Sequence, residues 1–171
     1  MLHWDLLQTI AALSITLLGF SGIVATTGRL LQAADDPYTP IALNSMITPT
    51  LIALACSFLP ELGSMLTNEL SLVWRVASAI LGTSLAATFL PMLFRGEWTD
   101  FQPVGKYLLT PLVMASLVAQ FLAAAGALGP YQFVFVAGLL VQLTVGVTSF
   151  LALVALERRV VNEKEPAGLP G

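Results

Sequence analysis

The side chains in this sequence that could take part in chemistry are few, and most carry no charge. Three amides, Asn44, Gln120 and Gln142, fall inside long apolar runs. An amide offers two donors and one acceptor with two lone pairs. Between helices in lipid it can grip a carbonyl or hydroxyl of a ligand. Thr48 lies one helical turn after Asn44 and shares its face. Asn44, Thr48, Gln120 and Gln142 are therefore the candidate intramembrane polar site. The competing role is hydrogen bonding between helices, worth about 0.6 kcal/mol on average, and it is the commoner use of such groups.

Arg75 is the candidate headgroup or anion contact. It follows Trp74, with Glu61 and Glu69 in the preceding stretch. A guanidinium there can take a lipid phosphate or another anion. It can also snorkel and pair with Glu69 or a headgroup, the usual behaviour of an arginine at a helix end. His3 is the only histidine. A b-type haem in a bundle usually needs two axial ligands, and one histidine cannot supply both. Cys56 is the only cysteine, so no intramolecular disulfide or thiolate metal cluster can form. Its default role is that of a small buried apolar residue.

Other chemistries lack their residues. No carboxylate or lysine lies deep in an apolar run, and such groups are the usual mark of proton or ion coupling. The motifs HExxH and GxSxG are absent, so intramembrane metalloprotease and serine hydrolase chemistry find no support. No catalytic residue, cofactor or metal ligand is expected, and an enzyme ranks below the other function classes.

The elements that must position these groups follow from the apolar runs. Of 171 residues, 57% are hydrophobic and 10% charged. A soluble domain carries about 25% charged residues, so this chain could not cover a water-facing surface. A spanning helix needs roughly 20 mostly apolar residues. Five stretches qualify: residues 4–28, 40–60, 71–94, 107–128 and 131–156. The expected fold is an all-α bundle of five transmembrane helices in one domain, residues 1–156. A polar tail over 157–171 begins as a helical extension. Pro40, Pro111 and Pro130 sit before or within first turns, where the missing N–H costs little. Pro60 is expected to end the second span, and Pro49, in its middle, to kink it. Ser45, Thr48 or a neighbouring helix would then satisfy the freed carbonyl. Trp4, Tyr38, Trp74, Trp98, Tyr107 and Tyr131 all fall at helix ends or in connections. There a ring can lie among headgroups with its polar tip wet.

Basic residues in short loops stay cytoplasmic. Five spans put Arg29, Arg95, Lys106, Arg158, Arg159 and Lys164 on one side and Arg75 alone on the other. That split sets the N-terminus outside and the C-terminus in the cytoplasm. If the second segment does not span, the four-helix split is weaker, with Arg29 joining Arg75. A cleaved signal peptide is disfavoured, because Met1–Asp5 has no basic residue. The segment Phe94–Tyr107 mixes aromatics with charge and reads as an interfacial loop. The formal net charge of −3 and the lack of a basic patch argue against nucleic acid as a partner.

Small residues recur at helical spacing and mark packing faces. They are Thr9, Ala12, Thr16 and Gly19 on the first helix, and Ser78, Gly82 and Ala86 on the third. The fourth has Ser116, Ala119, Ala123 and Ala127, and the fifth has Gly138, Gln142, Gly146 and Ser149. These stripes are expected to face helices of this chain or of another copy. The run Leu17–Val24 (LLGFSGIV) and the run Trp74–Ser78 (WRVAS) resemble a loose group of small, uncharacterised bacterial inner-membrane proteins. The resemblance implies a multi-pass inner-membrane location and no activity. The expected function is that of a structural or accessory subunit. Its partners would be the lipid bilayer and either a homo-oligomer or a larger membrane protein. The alternative is a small transporter or channel for a neutral or lipophilic molecule.

Overall fold

The computed structural model describes residues 2–26, 38–95 and 108–164, with side chains placed for 4–23, 44, 46–91, 93–94 and 108–151. Among these residues the chain is all-helical. The helices are α1 (Leu2–Thr26), α2 (Tyr38–Ser57), α3 (Leu59–Leu66), α4 (Leu70–Arg95), α5 (Thr110–Ala125) and α6 (Tyr131–Lys164). Four stretches are long and apolar enough to cross a membrane: Trp4–Ile23, Met46–Leu66, Leu70–Pro91 and Tyr131–Leu151. The remaining apolar helix, α5, has 16 residues. At 1.5 Å per residue it is about 24 Å long, below the roughly 30 Å of a hydrocarbon core.

The second expected span differs from its sequence reading. α2 continues unbroken through Pro49. Thr48 turns its hydroxyl to the side-chain oxygen of Asn44 at 3.0 Å rather than to a carbonyl. The interruption comes later, at Phe58. Proline clashes with the carbonyl four residues before it, so Pro60 breaks the helix ahead of itself. It then occupies the first turn of α3, where its missing N–H is harmless. Pro60 therefore opens a short helix instead of ending the span. α6 runs to Lys164, past the expected limit of 156, so the tail does begin as a helical extension.

α6 is the packing centre. It touches α1, α2, α4 and α5. Glycine makes this closeness possible at two points. A Cβ on Gly138 would overlap the amide nitrogen of Gln120 on α5, and one on Gly146 would lie 2.6 Å from the Thr50 hydroxyl on α2. On α4, a Cβ at Gly82 would lie 3.2 Å from Gln120 Cβ. The fully buried side chains Ile10, Met46, Leu81, Leu85, Val113, Phe135 and Leu139 fill the space between. The outside is apolar too, with Leu13, Ile15, Phe20, Leu51, Val118 and Phe133 exposed. In water such a surface would aggregate, whereas lipid solvates it.

The small-residue stripes on α4 and α6 pack within the chain, and that on α5 does so in part, since Ala127 is exposed. On α4, Ser78 and Gly82 are buried; on α5, Ala123 is; on α6, so are Gly138, Gln142, Gly146 and Ser149. The stripe on α1 does not pack. Thr9, Ala12, Thr16 and Gly19 are exposed, and the buried face is instead Leu7, Ile10, Ala11, Ser14 and Ser21. Leu7 and Ile10 share that face with the small Ala11, Ser14 and Ser21, and α1 lies there against α2 and α6.

Candidate functional site

The polar groups inside the bundle divide by how they are satisfied. Most hydroxyls fold back onto their own helix. Ser14 donates to the Ile10 carbonyl, Ser21 to Leu17, Thr50 to Met46 and Ser57 to Leu54, all at 2.7–2.8 Å. Such back-bonding keeps a hydroxyl from demanding a partner in a neighbouring helix. Ser78, Ser116 and Ser149 do not do this. Their hydroxyls are buried and meet no partner within the chain.

Gln120 and Gln142 share that interior. Gln120 Nε2 donates to the Val134 carbonyl of α6 at 2.7 Å, across the glycine gap at Gly138. This is a bond between helices, but it uses only one end of the amide. Gln120 Oε1 is buried without a partner, and so is Gln142 Nε2. A polar group left unmatched in this way costs about 1–3 kcal/mol. The structure therefore buries two of the four candidate polar residues, Gln120 where α4, α5 and α6 meet and Gln142 on α6. Asn44 and Thr48 do not join them. Asn44 is exposed on α2, and its side-chain oxygen accepts from Thr48 on its own helix.

Arg75 has a role that sequence reasoning did not find. Its Nε donates to the Ala124 carbonyl at 3.0 Å. α5 ends there in a left-handed turn at Gly126, φ 84°. The Gly126 N–H donates to the Ala123 carbonyl at 3.0 Å, and the Ala127 N–H to the Leu122 carbonyl at 2.9 Å. This pair of bonds is a Schellman motif, and it leaves Ala124 for Arg75. The guanidinium also covers Gly126, lying 3.3 Å from where a Cβ would be. Its positive charge faces the negative end of the α5 dipole. No ion pair with Glu61 or Glu69 forms. The capping partner lies 49 residues away along the chain, so no local spacing announces it.

Trp74 also departs from expectation. Its indole is buried, packed edge-on against Phe135 with ring centres 5.6 Å apart, and its Nε1 finds no partner. The interfacial reading had its polar tip wet. Trp4 is half-buried and lines a cleft of about 280 Å³ with Gln8, Ser57 and Glu61, between the start of α1 and the α2–α3 junction. Tyr131 is half-buried at the start of α6. Cys56 is buried. The side chains of His3, Tyr38, Arg95, Arg158, Arg159 and Lys164 lie outside the described set. So do the whole of Arg29 and of residues 96–107, among them Trp98, Lys106 and Tyr107.

The three serines and Trp74 are the interior groups that sequence reasoning did not assign to a site. A signal was present: Ser149 lies on the Gln142 stripe, and Ser116 lies one turn from Gln120. Comparison with protein-family models, with curated proteins and with solved structures finds no match to this chain.

Proposed function

We propose that this chain is a multi-pass protein of a bacterial inner membrane, working as a non-enzymatic structural or accessory subunit through helix–helix contacts. Its rods α1, α2–α3, α4, α5 and α6 are read as five spans, with the N-terminus outside and the C-terminus in the cytoplasm. The short α5 crosses with the help of the residues that precede it, Leu108 and Leu109, which are already helical. The basic-residue split of the sequence supports the orientation.

One observation carries the reading. Small-residue stripes that permit close helix packing are taken up inside the bundle on α4 and α6, while that of α1 faces outward. Around Gly19 and Gly22 a Cβ would meet nothing within 4 Å. The hydroxyls of Thr9 and Thr16 are turned back onto the Asp5 and Ala12 carbonyls, so this face asks for no water. A helix of a second protein or a second copy fits there by the same close packing that holds α6.

Thiol cross-linking in native membranes tests it. In a Cys56→Ser background, single cysteines replace Thr16 or Gly19 on α1, or Val118 on the exposed face of α5. Cross-linked species should form from the α1 positions and not from Val118. Monomer alone from every position would sink the reading.

A second reading has its own observation. The buried, unpartnered polar atoms Gln120 Oε1, Gln142 Nε2 and Ser149 Oγ favour a small transporter or channel for a neutral molecule. Stopped-flow light scattering of vesicles with and without the protein measures that permeation directly, and equal rates for water and small neutral solutes would remove it.

A further inference from the structure

The cleft beside Trp4 is built from two sides. On α1, Trp4, Leu7, Gln8 and Ala11 recur at helical spacing and form one wall. The α2–α3 junction forms the other, with Ser57, Phe58, Glu61, Ser64 and Met65. α3 divides its residues between two neighbours. Leu59, Leu62, Gly63 and Leu66 lie along α4, which leaves Glu61, Ser64 and Met65 for the cleft. The contact with α4 is close, since a Cβ on Gly63 would stand 2.7 Å from Val73 Cγ1. α3 is thus braced from behind, and that places Glu61.

The polar groups of the cleft are chiefly acceptors. Ser57 donates its hydroxyl proton to the Leu54 carbonyl, and Ser64 donates to the Glu61 carbonyl, both at 2.7 Å. A hydroxyl has one proton and two lone pairs, so each serine has only lone pairs left to offer. The Glu61 carboxylate accepts only, and Gln8 adds an amide carbonyl oxygen. Among the described residues Glu61 has no ion pair. Arg75, the one basic side chain among them, is engaged at Ala124. A carboxylate surrounded by acceptors calls for a cation that donates several hydrogen bonds. Trp4 adds an aromatic ring, whose face attracts positive charge. The rest of the lining is apolar: Leu7, Ala11, Phe58 and Met65.

We propose that this cleft binds a primary alkylammonium group, with Glu61 as counter-ion, Trp4 as aromatic contact, and Ser57 and Ser64 as acceptors. Such a group uses both halves of the lining. Its ammonium N–H groups meet the oxygens, and its carbon chain meets the apolar side chains. A hard metal ion seeks oxygen ligands all round, and among the described residues no three His, Cys, Asp or Glu side chains gather to hold one. At about 280 Å³ the cleft lies at the small end of ligand sites, roughly 300–1,000 Å³. Two sources carry this chemistry: the headgroup of an aminophospholipid and a free organic amine. Only the first rests on the proposed bilayer placement.

Titration of the purified full-length protein in an uncharged detergent tests the proposal, with ethylammonium chloride as probe and thermal unfolding as readout. The melting temperature should rise with ethylammonium and saturate. Sodium chloride at equal ionic strength, ethanol, and ethyltrimethylammonium, which has no N–H, should each bind at least about threefold more weakly. An equal response to any of the three overturns the proposal, and this comparison needs no variant. Glu61→Gln and Trp4→Leu should each weaken ethylammonium binding about two- to fivefold. Asp5→Asn should leave it unchanged, because Asp5 is exposed and does not line the cleft. Equal loss from Asp5→Asn would mean diffuse surface charge and overturn the site, as would full binding by Glu61→Gln. Nanodiscs then separate the sources. A lower apparent affinity for ethylammonium in nanodiscs containing phosphatidylethanolamine than in phosphatidylcholine alone assigns the site to a headgroup; equal affinity assigns it to a free amine. A chain that fails to enter nanodiscs tells against the bilayer placement and leaves the detergent result standing.

Discussion

Replacing Gly146 by alanine should loosen the bundle at its most extensive helix contact, that between α2 and α6. The added Cβ would stand 2.6 Å from Thr50 Oγ1 and 3.6 Å from the Met46 carbonyl oxygen. Carbon–oxygen contacts settle at roughly 3.3–3.6 Å, so about 0.7–1 Å must be found. Thr50 cannot simply turn aside. Its hydroxyl is held to the Met46 carbonyl at 2.7 Å, and a β-branched side chain on a helix has few rotamers. The helices must part instead. Overpacking of this kind costs about 1–3 kcal/mol, and alanine returns up to about 1 kcal/mol of helix propensity. A net loss of about 1–2 kcal/mol lowers the melting temperature by roughly 2–8 °C for a chain of this size. The assay is thermal unfolding of detergent-purified protein, with Gly19→Ala as control, because a Cβ at Gly19 meets nothing within 4 Å. Thr50→Ala in the same chain as Gly146→Ala should recover at least about 0.5 kcal/mol relative to additivity, since the two residues touch. Equal melting of Gly146→Ala and Gly19→Ala, or additive behaviour of the pair, would refute the packing argument.

Arg75→Leu should cost about 1–2 kcal/mol, through loss of a charged hydrogen bond and of the favourable dipole contact at the end of α5. Thermal melting with and without salt checks it, and Arg75→Lys should recover part of the loss. Asn44→Ala should change stability by less than about 0.5 kcal/mol, because Asn44 is exposed and its bond is to its own helix. The same melting assay reads this. Green fluorescent protein fused after Gly171 should fluoresce, and alkaline phosphatase fused there should be inactive; the reverse pattern would invert the orientation.

Much of the fold was legible in the sequence because long apolar runs fold as long apolar helices, four of them long and apolar enough to cross a membrane. Boundaries that depend on a local steric rule were also readable in kind, if not in place. Pro60 does disturb its helix, but the disturbance falls two residues ahead and the chain resumes as α3. The candidate site was half legible. Gln142 was placed inward from its glycine stripe, correctly, and Gln120 lies inside as well. Asn44 was grouped with them from residue type alone, and residue type does not say which face of α2 turns inward. The mean hydropathy of α2 is nearly uniform around its circumference, so the sequence offers no stripe to read. Arg75 was illegible for a different reason. Its partner is a backbone carbonyl on a helix far along the chain, and every residue has a carbonyl. The α1 stripe shows the limit of small residues as a signal: they permit close approach, but they do not choose the neighbour.

The length of α6 has a mechanical consequence. Its 34 residues make a rod of about 51 Å, and a hydrocarbon core takes about 30 Å of that. In the proposed bilayer placement, some 20 Å of continuous helix then extends beyond the hydrocarbon core as a shaft. A helix is stiff in torsion, since turning it at one point strains every hydrogen bond along it. A small rotation of the projecting end thus swings Gly138 against Gln120 and Gly146 against Thr50 through nearly the same angle. Neither gap has slack to absorb it. Whatever grips the shaft from the far side holds, in effect, the handle of the lock at the bundle's centre.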